Sequence, residues 1–438
     1  MYKIQNYMIR FVWPLAILAC SGTMHNQHGF MIENKGLTCD AQKLDQERFI
    51  ICGESSAFTG SATAGNKDGF CFIRNFNNSS TGIGFALGKS EQQERIEKIR
   101  IQDRHYFVSG YSGENKNKFV AKLDDKFNLI WARSSDSIQS TDQPELAVNL
   151  SSHILLAGKN SADESYQIQL HLFNGDGACL WSKSMPSVEI LQDILPTKDQ
   201  NFLISFKQKG AYIDGQTRKR YIMNSFYKIN TEGQQVWAGK FHMDDDQVHH
   251  SYFTKVVEDS KTQLYFIGHI AFQANVENAY IVKTNSDGKI LWSKFYVGLE
   301  NYVFKSASIG EDGKIFIIGD GYGKNGGLVY ASIREDGQIE WARKSKSANY
   351  EQAISVIPSE NSFTIIWDKL FTMAGFSTDK KGNACLGENE ELKVSAQEFM
   401  IQMERFKGRM GDLPLHAWKE LDMETKVFDQ IAVKNLCP

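Results

Sequence analysis

Two stretches carry residue types that could do chemistry. His242-Met-Asp244-Asp245-Asp246-Gln-Val-His249-His250 sets imidazoles beside carboxylates, a donor set that suits a divalent cation. The spacing matches no fixed ligand motif, so His242, Asp244, Asp246 and His249 stand only as weak candidates and no metal is expected. Arg218-Lys219-Arg220 is a compact basic run in the longest of the strand connections, a candidate for contact with another protein. Two glycine-rich stretches imitate phosphate loops. Gly321-Tyr-Gly-Lys-Asn-Gly326 has the dinucleotide spacing but runs into a strand at Leu328, where that motif needs a helix N-terminus. Gly88-Lys89-Ser90 ends like a phosphate loop, yet Ile83 stands where the opening glycine belongs. No Gly-x-Ser-x-Gly elbow is present, and His105, His153, His171 and His269 fall in or beside expected strands as packing or edge residues. No catalytic residue and no cofactor are therefore expected.

The elements that position these stretches are set by a repeated turn. Asn285-Ser-Asp-Gly-Lys-Ile-Leu-Trp292 recurs as Asn174 to Trp181, Asn230 to Trp237 and Arg334 to Trp341, each with Gly four residues before the Trp. Asp124 to Trp131 has lost the Gly, and Asn128 is the residue expected to take the left-handed position. Turns of this kind need a residue tolerant of positive φ, and here they are hairpin turns rather than calcium loops, which need further spaced acids and a distal Glu. Trp131, Trp181, Trp237, Trp292 and Trp341 lie 50, 56, 55 and 49 residues apart. Upstream of each is a short apolar run such as Tyr265-Phe-Ile-Gly268 or Phe316-Ile-Ile-Gly319, which reads as a strand buried on both faces. Phe49 to Gly53 opens an earlier copy with its outer strand near Phe85, and Thr378 to Leu386 closes a later one.

Seven repeats follow, beginning near residues 39, 96, 145, 188, 252, 303 and 352. The expected fold is all-β: a seven-bladed β-propeller of four-stranded antiparallel blades over 39–388, with each Trp in the seam between neighbouring blades. The segment 20–38 reads as a polar tether, and 389–438 as an extension that closes the ring or caps it. In this topology the long connection Lys209 to Tyr221 and the stretch His242 to His250 share one rim, the default contact area.

The unit of Gly-ended strand, Asp-Gly turn and Trp resembles the bacterial β-propeller repeat of secreted and surface proteins, a likeness that is specific for fold and nearly silent on activity. Quinoprotein propellers also place tryptophans outside, but their repeat carries Thr-Gly where this chain has Asp-Gly or Glu-Gly, and they usually have eight blades. At the N-terminus, Lys3 and Arg10 precede an apolar run from Phe11 to Ala19, too short to cross a bilayer as a helix. Ile17-Leu18-Ala19-Cys20 resembles a bacterial lipobox, which implies a signal peptide over 1–19 and a lipid on Cys20; an ordinary secretory signal cut near Ser21 or Gly22 is the alternative.

A net charge of −3 and pI of about 6.4 give no basic field for nucleic acid or anionic lipid. The expected protein is a monomeric, non-enzymatic lipoprotein of the bacterial cell envelope, in the outer membrane or periplasm. It meets other envelope or surface proteins, and meets the membrane only through its anchor. A propeller enzyme or glycan-binding protein with a site in the central channel is the alternative. Export permits disulfides. Cys385 with Cys437 would fasten the tail to the last blade, and Cys52 with Cys71, on neighbouring strands, is the competing pair. Cys20→Ser is expected to leave the protein soluble; mass spectrometry finding an unmodified Cys20 in the mature chain would overturn the lipid anchor.

Overall fold

Short apolar runs punctuated by Asn, Asp and Gly can satisfy their backbone only by pairing with one another, and they do so as antiparallel strands. The computed structural model describes residues 29–33, 37–55, 67–75, 81–88, 92–114, 116–139, 145–160, 167–186, 188–214, 217–242, 250–273, 276–299, 302–321, 326–345, 351–360, 362–369, 372–384, 389–398, 401–405, 410–412, 419–421, 423–432 and 434–435.

β1 (Gly29–Glu33) precedes the repeats. The first blade takes β2 (Thr38–Lys43), β3 (Arg48–Ser55), β4 (Asp68–Asn75) and β5 (Thr81–Gly88), and the second takes β6 (Glu94–Gln102), β7 (His105–Ser112), β8 (Asn117–Leu123) and β9 (Leu129–Gln139). The third has β10 (Glu145–Val148), β11 (Ile154–Asn160), β12 (Gln167–Phe173) and β13 (Cys179–Pro186). The fourth has β14 (Val188–Pro196), β15 (Phe202–Asp214), β16 (Thr217–Ile229) and β17 (Gln235–His242). In the fifth are β18 (His250–Glu258), β19 (Leu264–Gln273), β20 (Val276–Thr284) and β21 (Ile290–Val297). The sixth holds β22 (Tyr302–Ile309), β23 (Ile315–Gly321), β24 (Gly327–Ile333) and β25 (Ile339–Ser345). The seventh holds β26 (Glu351–Pro358), β27 (Ser362–Lys369) and β28 (Thr372–Asp379). The tail adds β29 (Asn389–Glu391), β30 (Ser395–Glu398), β31 (Gln402–Arg405), β32 (Gly411–Asp412), β33 (Lys419–Glu420), β34 (Glu424–Ala432) and β35 (Lys434–Asn435).

The protein is a seven-bladed β-propeller, and its seven sheets have five strands each rather than the expected four. The fifth strand comes every time from the tail. β29 pairs with β25, β30 with β21, β31 with β17, β32 with β13, β33 with β9 and β34 with β5, so the tail runs round the outside against the order of the blades. It is a belt, neither a cap nor a disc beneath the ring. Leu392, Val394 and Ala396 pack against the core between the fifth and sixth blades, Met410 against that between the third and fourth, and Ile401 and Met423 are buried.

Ring closure also differs from the sequence reading. Residues 29–33, expected in the tether, form the fourth strand of the seventh blade, pairing Gly29 with Phe376 through Glu33 with Thr372. β35 then pairs outside β1, so the first and last described strands lie side by side. Interleaving the ends gives the last blade backbone hydrogen bonds to both, where strict repetition would leave the first and last blades joined by side chains alone.

No blade has a core of its own. The buried clusters each join two neighbours, as where Leu203, Phe226 and Trp237 of the fourth blade meet Phe253, Val256 and Phe266 of the fifth. The turn motif builds these seams. Asn285 Oδ1 accepts the Asp287 and Lys289 amides at 3.1 and 2.8 Å, which folds the turn locally and sets Gly288 at φ +82°. The Trp237 indole of the preceding blade then donates to the Ser286 carbonyl at 3.2 Å. The same bond runs from Trp131 to Gly175, Trp181 to Thr231, Trp292 to Glu335 and Trp341 to Lys380, at 2.8 to 3.2 Å. At the seam of the first two blades Phe85 stacks on Phe127 at 4.7 Å, and Phe127, not Asn128, holds the left-handed position at φ +67°. Beyond the Gly382 turn, which packs under the Trp341 ring, the described residues carry only the Thr378–Ala384 bridge, and β1 pairs with β28 as the fourth strand of the blade.

A Cβ on Gly177 or Gly382 would come within 2.7 Å of the Trp131 or Trp341 ring, and both glycines have positive φ. Gly177→Ala and Gly382→Ala are each expected to cost about 1–3 kcal/mol in urea unfolding. A neutral Gly382→Ala would show that its turn is a mere connector.

Candidate functional site

The second and third strands of a blade are seven to ten residues long in six of the blades, whereas β15 and β16 of the fourth have 13 each. Their ladder continues to Asp214 opposite Thr217, while β14 pairs only as far as Gln208 and β17 only as far as Asn224. Residues 209–214 and 217–223 therefore stand as a two-stranded ribbon that rises roughly 20 Å above the blade. The sequence reading took this stretch for a loop; its backbone is paired almost to the tip. Arg218, Lys219 and Arg220 lie opposite Ile213, Tyr212 and Ala211. Four basic residues (Lys209, Arg218, Lys219 and Arg220) stand against one acid, Asp214, in a chain whose net charge is −3.

His242 ends β17 and His250 opens β18, at the rim from which the ribbon rises, whereas Asp244, Asp245, Asp246 and His249 lie outside the described residues. Among the described residues no group of three or more His, Cys, Asp and Glu side chains converges to hold a metal. Cys20, Cys385 and Cys437 also lie outside the described residues. Cys52 and Cys71, directly opposite in β3 and β4, form a disulfide. His171 is buried with Nδ1 2.8 Å from Ser182 Oγ, and His269 is buried with Nε2 3.7 Å from Glu277.

The innermost strands bring together a second group that the sequence reading passed over. In β2, β6, β18, β22 and β26 one residue bulges out of register, and in β14 two do. At the same level each blade contributes one polar residue: Asp40, Lys98, Glu145, Asp193, Lys255, Ser306 or Ser355. They bridge the seams. Asp40 meets Arg100 at 2.7 Å and accepts the Ile99 amide at 3.0 Å; Lys98 meets Glu145 at 3.0 Å; Asp193 meets Lys255 at 2.9 Å and accepts the Val256 amide at 2.9 Å. Burial alone would raise the Asp193 pKa, but Lys255 and the Val256 amide hold it below the ordinary aspartate value. Burial pushes the Glu145 carboxyl up, Lys98 offsets part of that, and Asp193 across the seam adds to it. Burial also raises the Cys39 thiol at the same ring, which makes it a poor nucleophile. The signal for this ring was present as one charged residue near the start of most first strands, legible only with the repeats aligned on that strand.

No protein-family model and no curated protein matches the chain. Among solved structures it is similar to a protein of unknown function from Bacteroides caccae, at 14% identity over 67% of this chain and 98% of that one, with a TM-score of 0.39. It is also similar to Drosophila Plexin A in complex with Semaphorin 1b, at 7% identity over 80% and 86% with a TM-score of 0.46. A third is a protein of unknown function from Dyadobacter fermentans DSM 18053, at 9% over 81% and 100% with a TM-score of 0.41. These scores are low, and the propeller assignment stands on the seven sheets themselves.

Asp193→Asn removes one member of a bridged pair. It is expected to cost about 2–3 kcal/mol, under the about 3–5 of a fully buried pair because Lys255 keeps partial access to water. The wild-type contribution is present above the unfolded aspartate pKa and is lost as pH falls through the lower folded value. Thermal unfolding of the two proteins should therefore differ most near neutrality and converge in acid.

Proposed function

We propose that this propeller is a non-enzymatic interaction platform of the cell envelope, held to the membrane by a lipid on Cys20. Its docking element is the fourth-blade ribbon, and its partner is an acidic surface of another envelope protein. The observation that carries the reading is the ribbon itself. An isolated pair of strands is marginally stable in water, and this one extends well past its blade with a sequence rich in Tyr, Ile and basic residues. Such a ribbon gains stability when a partner covers it, and its charge selects for carboxylates. The propeller beneath is a firm support, since every blade is fixed to its neighbours through a shared core.

Replacing Arg218, Lys219 and Arg220 together with Ala is expected to abolish salt-sensitive capture of the envelope partner. Folding stability should change by less than about 0.5 kcal/mol per site, as for exposed charges. Capture of the same proteins by the triple variant at every salt concentration would remove the ribbon from the interaction.

A further inference from the structure

The central channel encloses a cavity of about 480 Å³, the size of a small-molecule site. Most of its charged lining is already bridged. Asp40 pairs with Arg100, Lys98 with Glu145 and Asp193 with Lys255, while the Ser355 hydroxyl donates to the Ala41 carbonyl at 3.2 Å.

Two places are left unbridged: Lys43 of β2, which has no ion-pair partner among the described residues, and the sixth blade. β22 runs Lys305-Ser306-Ala307-Ser308 along the cavity wall, with Lys305 as its bulged residue. The one ion-pair partner of Lys305 among the described residues is Asp320, at 4.0 Å, beyond hydrogen-bonding distance. Asp320 Oδ1 meanwhile accepts the Ala353 amide at 2.6 Å. Ser306 and Ser308, two apart on one strand and so on one face of it, have no hydrogen-bond partner among the described residues. One ammonium and two hydroxyls thus meet at a cavity whose other polar groups are largely paired.

We infer that the channel binds a small hydroxylated carboxylate of monosaccharide size, its carboxylate on Lys305, Ser306 and Ser308. One ammonium with two neutral donors matches a single negative charge. A phosphate dianion would carry a second negative charge that one ammonium leaves uncompensated. Gln42, without a hydrogen-bond partner among the described residues, and the Thr254 hydroxyl, which already donates to the Ile267 carbonyl at 3.3 Å, line the same cavity and suit the ligand's hydroxyls. This site is independent of the ribbon, so either can fail alone.

Calorimetric titration of the full chain with glucuronate, glucose and inorganic phosphate tests it. Glucuronate should bind saturably and glucose should not. Lys305→Met should weaken glucuronate binding roughly tenfold or more, and the Ser306→Ala/Ser308→Ala pair by several-fold. Lys43→Met, in the same cavity, should leave binding unchanged; thermal melts of each variant exclude misfolding. Absent glucuronate binding, binding indifferent to Lys305, equal loss in the Lys43 variant, or binding of phosphate in its place would each overturn the assignment.

Discussion

The ring depends on one repeated contact, the indole of one blade laid against the glycine turn of the next. Two requirements meet there. A buried indole needs an acceptor, and the turn offers a carbonyl that its own hairpin does not use. The flat ring also needs close backbone approach, which a glycine at positive φ allows and any Cβ would block. Lys183 and Lys294 reinforce two of these seams, each donating to a turn carbonyl of the next blade at 2.7 Å. Two seams lack this contact: between the first two blades stacked Phe85 and Phe127 take its place, and between the seventh and first Phe49, Phe70 and Phe72 pack with Ile357 and Ile366. Because each buried cluster spans two blades, a change in one turn is felt by two sheets.

A ring built this way has two problems, closure and exposed edges, and the chain ends address both. β1 enters the seventh blade and fixes the N-terminal segment beside the last repeat. That position being filled, the chain leaving the Gly382 turn lies next to Trp341 and joins the outer edge of the sixth blade, then the fifth. The belt's direction follows from this one displacement. Its segments are mostly two to four residues long, enough to cover edge strands that would otherwise invite pairing with other chains. Glu391 meets Arg343 at 3.0 Å, Glu404 meets Lys240 at 2.7 Å, and Arg405 lies over the Trp237 ring, so the belt is also held by side chains.

Charge is distributed with a similar division. Inside, acids and bases of neighbouring inner strands bridge three of the seams around the channel. Outside, the fourth-blade ribbon gathers basic residues in an otherwise slightly acidic chain. A ring with a projecting ribbon and a polar cavity in its channel is a scaffold consistent with an interaction platform.

The blade number and the seam position of the tryptophans were determined by the sequence, because each is a local matter. A turn needs Gly at a fixed offset, a double-sided strand needs an unbroken apolar run, and both recur with the repeat. The left-handed residue of the weak copy is Phe127 rather than Asn128 because its ring is held between Tyr106 of its own blade and Phe85 of the preceding one. The role of residues 29–33, the belt and the channel pairs could be decided only in three dimensions. β1 pairs across most of the chain's length, the belt strands are too short to carry a periodic signal, and Asp40, Glu145 and Asp193 acquire meaning only beside the Arg and Lys of a neighbouring strand. Local propensity fixes what a segment becomes; which edge it joins depends on where the closed ring leaves an edge open.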